Sequence, residues 1–186
     1  MTGRRLVAMT AEIKTAPAPD PRADPPPCAS ERETLLAFLD YQRRTLELKC
    51  AGLTAAALGT RAVPPSGLSL LGLVRHLGDV ERFWVRTCLA GDPAPPLYWR
   101  PDGNDTDFDF PHPDDRMVEL SFAAWKAEAA FADAALGSEP LERAVGAGHH
   151  GMVSVRWILV HLIEEYSRHN GHADLLRECL DGTVGE

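Results

Sequence analysis

The segment from residue 69 to residue 89 constrains this chain most. Leu71, Leu73, Val74, Leu77, Val80, Phe83, Trp84 and Val85 recur there at helical spacing and leave little of the helix surface polar. A helix that apolar must be largely buried, so the rest of the chain has to surround it. The remaining segments also read as helices. Ser30-Glu31-Arg32-Glu33 has the pattern of a capping box. Leu35, Leu36, Phe38, Leu39, Leu46 and Leu48 follow, predicting a first helix to about Ala51. Residues 53–58 fit a short helix before the turn cluster Val63-Pro64-Pro65-Ser66-Gly67. Gly91-Asp92-Pro93 stops the second long helix, and residues 91–113 read as an irregular crossover loop. A third helix spans 115–136, with Met117, Leu120, Phe122, Trp125, Ala129 and Leu136. A loop follows through Gly151. The fourth long helix starts at Ser154 as N-cap and runs through Leu180 to Asp181-Gly182. With no segment reading as a strand, the expected fold is all-α, a four-helix bundle with one long connection.

A length of 186 residues suits one domain. Residues 1–29 stand apart: Ala16-Pro17-Ala18-Pro19-Asp20-Pro21 and Pro25-Pro26-Pro27 favour extended chain and cannot pack a core. They read as a disordered tail before a bundle over 30–186, and Met9 is as good a start as Met1. Leu6-Val7-Ala8 is too short for a signal peptide. The four cysteines, at 28, 50, 88 and 179, form no CxxC pair and read as reduced thiols of a cytoplasmic protein, with Cys50 and Cys88 as buried apolar fillers. A formal charge of -8 argues against a nucleic-acid partner. No stretch approaches the ~18 apolar residues of a membrane span.

The chemistry sits in the fourth helix, in His161-Leu162-Ile163-Glu164-Glu165-Tyr166-Ser167-Arg168-His169-Asn170-Gly171-His172. At about 100° per residue, positions 161, 165, 169 and 172 fall within roughly an 80° arc. Ile158, Leu162 and Leu176 share or border that arc, so it is expected to face the core. Buried carboxylates and imidazoles are costly unless paired or bound to metal. Both are standard ligands for zinc, nickel and iron. Glu165 and His169 lie four residues apart and can reach one ion. A third donor must come from another helix, where His76 lies on the stripe of Leu73, Val80 and Phe83. Spacing alone leaves a second reading open. His76 could be a hydrogen-bonded core histidine, and Glu165 could pair with Arg168, Arg44 or Arg75.

Two stretches are familiar. Gly72-Leu73-Val74-Arg75-His76-Leu77-Gly78-Asp79-Val80-Glu81-Arg82-Phe83-Trp84 and the run from Trp157 to His172 resemble the DinB/YfiT-like metal-binding bundle superfamily. The likeness covers about residues 30 to 182 and is strongest to the branch containing mycothiol-dependent maleylpyruvate isomerase. It implies a divalent metal, zinc first and nickel or iron next, held by His76, Glu165 and His169. Glu165 stands where much of the superfamily has histidine, and a glutamate in that slot is similar to the mycothiol branch. His172 falls where many relatives have glutamine, which suits a group supporting a ligand. The isomerase carries a further C-terminal domain beyond the point where this chain ends, so its activity is not carried over.

The expected function is therefore a metal-dependent enzyme that transfers a low-molecular-weight thiol of the mycothiol type to a small electrophile. The ion would deprotonate the thiol, with His172 or His161 as proton shuttle. The alternative is a non-catalytic metal-binding stress-response bundle, with the site closed by a fourth ligand such as His161 or His172. A homodimer through a helix face is allowed. Tyr98 and Trp99 are expected to line a pocket mouth over the metal, and Trp84, Trp125 and Trp157 to be core. Gly146-Ala147-Gly148-His149-His150-Gly151 matches GxGxxG without a βαβ context and reads as a flexible loop whose histidines could chelate adventitiously. Asp105, Asp107 and Asp109 look like the start of an EF-hand but lack its glycine and glutamate spacing.

Overall fold

A computed structural model describes residue 20 and residues 22–100 and 106–185. Each helix begins where a side chain caps it. Ser30 and Glu33 close the capping box of α1 (Glu31–Cys50): the Ser30 N–H donates to Glu33 Oε2 at 2.9 Å, and the Glu33 N–H donates to Ser30 Oγ at 3.3 Å. Thr54 caps α2 (Ala55–Leu58) and Ser69 caps α3 (Leu70–Glu81). Asp114 caps α4 (Asp115–Ser138), and Ser154 caps α5 (Val155–Asp181). Gly182, at φ 76°, ends α5 in the left-handed conformation that favours glycine.

The four long helices pack mainly as α1 on α5 and α3 on α4, with α3 also against α5. Leu39 and Leu46 of α1, Leu70, Leu71, Leu73, Val74 and Leu77 of α3, Trp125 and Leu136 of α4, and Ile158, Leu159 and Leu162 of α5 form the core. This is the bundle the apolar periodicity predicts. None of the helices among the described residues is long and apolar enough to cross a membrane.

One buried polar network ties all four helices. The Trp125 Nε1–H donates to the Tyr166 hydroxyl at 2.6 Å, which donates to Oε1 of Glu81 at 3.0 Å. Arg43 Nε donates to the same oxygen at 2.7 Å, and Arg43 Nη1 reaches Asp133 at 2.6 Å. Burial pushes the Glu81 carboxyl upward, and the Arg43 guanidinium opposes it.

Three local features differ from the sequence reading. Residues 82–89 continue α3 as a π-helix, in which backbone bonds span five residues. Residues 144–154 are not an open loop. Strands β1 (Ala144–Gly146) and β2 (Met152–Ser154) pair antiparallel, Val145 opposite Val153, and both valines are buried. The turn between them holds His149 and His150, with Gly148 and Gly151 at positive φ. Trp157 is 38 % exposed, at the rim of the core and not inside it. The tail assignment falls mostly outside the described residues. Of its described part, residues 22–29 are non-helical, and Arg22 packs on α1: it donates to Thr45 at 3.1 Å and lies over the Tyr41 ring.

The crossover loop is fastened to α3. Asp79 accepts three backbone N–H bonds, from Leu97 (2.5 Å), Tyr98 (2.8 Å) and Trp99 (2.8 Å). Further along, Arg61 donates to the Phe108 carbonyl at 2.8 Å, and the Phe108 ring lies against Gly72, where a Cβ would overlap it. Together these contacts bring residues 106–110 over the middle of α3.

Candidate metal centre

The polar stripe of α5 does not enter the core. Its buried face is Ile158, Leu162, Tyr166, Asn170, Ala173 and Leu176; His161, Glu165, His169 and His172 lie beside that face, half-buried. On α3 the stripe fades in the same way: Leu73 is buried, His76 and Val80 are half-buried, and Phe83 is 40 % exposed. The two margins face each other. This lowers the burial cost of these groups and leaves them reachable from solvent.

His76, Glu165 and His169 each offer a donor atom, all within 4.8 Å of one another. Oε2 of Glu165 lies 3.5 Å from Nε2 of His169 and 3.8 Å from Nε2 of His76. The His76 and His169 rings meet edge to face at 4.7 Å. The other nitrogen of His76 is also engaged, since Nδ1 lies 3.2 Å from Oδ2 of Asp107, a residue only 2 % exposed. A carboxylate accepting from Nδ1–H directs the ring, once it is neutral, to offer the lone pair of Nε2. Burial pushes the His76 imidazolium down, but the bonds to Asp107 and Glu165 outweigh it and hold the pKa at about 9. The Glu165 carboxyl sits well below the usual carboxylate range because His169 and His76 both bond it.

Of the alternative partners for Glu165, none is used. Arg168 pairs with Glu164, Arg44 with Asp40, and Arg75 has no carboxylate bond among the described residues.

His161 and His172 flank the three donors. Nε2 of His161 lies 3.5 Å from Oε1 of Glu165, the oxygen turned away from His76 and His169, and its Nδ1 lies 3.4 Å from Glu164. Its ring stacks on Trp157 at 4.8 Å and meets Trp84 edge-on at 4.8 Å. Nδ1 of His172 lies 3.3 Å from Nδ1 of His169. Burial, then the charges of His169 and Arg168, push the His172 pKa down. Neither histidine joins the His76, Glu165 and His169 cluster, although His161 forms a second close group with Glu164 and Glu165. Tyr98 and Trp99 do not take the place expected of them. Tyr98 turns to Arg75, with the guanidinium 4.2 Å from its ring centroid, and Trp99 is 51 % exposed.

Sequence reasoning passed over Asp107. Its only trace in the sequence is an aspartate-rich loop that resembles an EF-hand start without its glycine and glutamate spacing. Asp105 of that run lies outside the described residues, and Asp109 approaches Arg61 at 3.6 Å.

The donor set fits a divalent ion on its own chemistry: two imidazole nitrogens and one carboxylate oxygen, brought from two helices, with one imidazole fixed in its tautomer by a buried carboxylate. Fold and site together define a DinB-like helical bundle. A family model described as mycothiol-S-transferase matches residues 34–182, and the chain belongs to that family. A search of curated proteins finds no match. Among solved structures, the chain is similar to a conserved protein from Enterococcus faecalis, with a TM-score of 0.60 and 18% identity. That match covers 84% of this chain and 100% of the other, and carries the fold alone.

Proposed function

We propose that this protein is a metal-dependent transferase that joins a low-molecular-weight thiol of the mycothiol type to a small electrophile, with zinc as the ion. The observation that supports it is the convergence of Nε2 of His76, Oε2 of Glu165 and Nε2 of His169 at a solvent-reachable margin of the bundle. An ion held by three protein donors keeps an open position, where it would lower the pKa of a thiol and supply a nucleophilic sulfur at neutral pH. The residues divide the remaining work. Asp107 keeps the proton on Nδ1 of His76. Glu165 offsets the cation's charge through one oxygen and presents the other to His161. Trp84 and Trp157 hold the His161 ring in place, so its nitrogen can take the proton released by the thiol. His172, beside His169, is the second candidate for that transfer.

The rival reading, a binding bundle without catalysis, calls for a fourth protein ligand to close the site. The positions of His161 and His172 outside the three-donor cluster favour the enzyme. Elemental analysis of tag-free protein is expected to find about one divalent ion per chain, and much less in His76→Ala. In cobalt-substituted protein, a small thiol should then produce a sulfur-to-metal charge-transfer band. The band should be lost in His169→Ala and kept in His172→Ala. A fully metallated protein that neither shows the band nor consumes thiol with a model electrophile would leave only the binding bundle.

A further inference from the structure

Arg75 is 9 % exposed and has no anionic hydrogen-bond partner among the described residues. Its Nε is buried without any acceptor among the described residues, and its one polar contact is Nη1 to the Met117 sulfur at 3.8 Å. The rings of Tyr98 and Phe110 lie 4.2 Å and 4.8 Å from the guanidinium. They meet its charge but accept none of its in-plane N–H groups. The carboxylates whose fields reach Arg75 are engaged elsewhere: Asp79 with the amides of residues 97–99, and Asp107 with Nδ1 of His76. A buried cation left in this state is costly, and arginine is almost never fully buried unless paired.

Arg75 borders a hollow of about 320 Å³ between α3, the crossover loop and the first turns of α4. Tyr98, Met117 and Leu120 give this hollow an apolar wall, Ser121 adds a hydroxyl-bearing residue, and Arg116 brings a second cation to the rim. Asp114 also borders it, but its carboxylate accepts the Met117 N–H at 2.8 Å as the cap of α4. The volume is at the lower end of that usual for small-ligand sites, and the pattern matches them: an apolar wall with a few polar groups around it.

We infer that this hollow is a binding site for a small organic carboxylate, whose oxygens take the in-plane N–H groups of Arg75 and whose apolar body lies on Tyr98, Met117 and Leu120. A planar guanidinium suits a carboxylate in two-point contact. The apolar wall selects an anion with a hydrocarbon body over a bare inorganic ion. The site is separate from the His76, Glu165 and His169 cluster, none of whose members lines the hollow, and stands whether or not the chain binds metal.

The test is calorimetric titration of the full chain with three probes: benzoate, its neutral isostere benzamide, and inorganic phosphate. Benzoate should bind at least about tenfold more tightly than either of the others, since only it satisfies both the cation and the apolar wall. Arg75→Met keeps the buried stem and removes the uncompensated charge, so it should fold with an unchanged or raised Tm and lose at least about tenfold in benzoate affinity. Leu120→Asp changes a residue that is 57 % exposed and places a like charge at the rim. It should weaken benzoate similarly without touching the core, and it carries the test if Arg75→Met fails to fold. Equal binding of benzoate and benzamide, phosphate as tight as benzoate, no saturable benzoate binding, or affinity unchanged in Leu120→Asp would each overturn the assignment.

Discussion

Oδ2 of Asp107 lies 3.2 Å from Nδ1 of His76, while Oε2 of Glu165 lies 3.8 Å from Nε2 of the same ring. The imidazole thus stands between two carboxylates from different parts of the chain, one in the crossover loop and one on α5. Its Nδ1 side is settled by a residue that does not join the three donors. Its Nε2 side faces the other two.

This arrangement makes Asp107 a determinant of metal affinity at one remove. Asp107→Asn keeps the size of the side chain but can present its amide N–H₂ to Nδ1, favouring the wrong tautomer. Affinity for zinc, measured by competition with a chromophoric chelator, should fall by about 10–100-fold. Far-UV circular dichroism should be unchanged. An unaltered affinity would mean that Asp107 does not orient the ring.

Gly72 bears on the same contact from beneath. A Cβ there would overlap the Phe108 ring, next in sequence to Asp107 and 5.8 Å from the His76 ring, centroid to centroid. Gly72→Ala should push the loop outward and cost about 1–3 kcal/mol in thermal unfolding. Zinc affinity should drop with it, because Asp107 moves with Phe108. Stability lost at unchanged affinity would show that the loop's two residues move independently.

The buried network predicts a larger loss. Arg43→Met leaves the Glu81 carboxylate in the core with only the Tyr166 hydroxyl, and should cost about 3–5 kcal/mol in denaturant unfolding. Adding Glu81→Leu removes the stranded charge and should recover part of that loss. If the double variant is as unstable as the sum of both changes, the pair is not coupled in the way the geometry implies.

Acid sensitivity is expected at the start of α1. Hydrogen bonds from Ser30 hold the Glu33 carboxyl below its ordinary value of 4.5. A carboxyl depressed in the folded state stabilises above its unfolded pKa, and that stability is lost as pH falls through the folded value. The Tm advantage of wild type over Glu33→Gln should therefore be fully present near neutrality and shrink steadily below about pH 4.5. A difference independent of pH across that range would contradict the carboxylate's role in the cap.

Local rules in the sequence determined much of this protein. The Ser30–Glu33 box, the caps at Ser154 and Gly182, and the apolar repeats depend on neighbours within one or two turns, so helix ends and the bundle were readable without coordinates. The same 3.6-residue period placed Glu165 and His169 on one face and put His76 on a matching stripe of another helix. The period does not say how far around the helix the core extends. Only packing decided that the stripe lies at the core's margin, and that Trp157 is exposed beside it. The β1–β2 ribbon escaped because its pairing rests on two short valine-centred strands with little pattern of their own. Asp107 and the unpaired Arg75 were beyond sequence reasoning for a further reason. An aperiodic loop gives no clue to what it will touch. It is fastened by long-range bonds, Asp79 to the amides of residues 97–99 and Arg61 to Phe108, and these exist only once α3 and the loop have met.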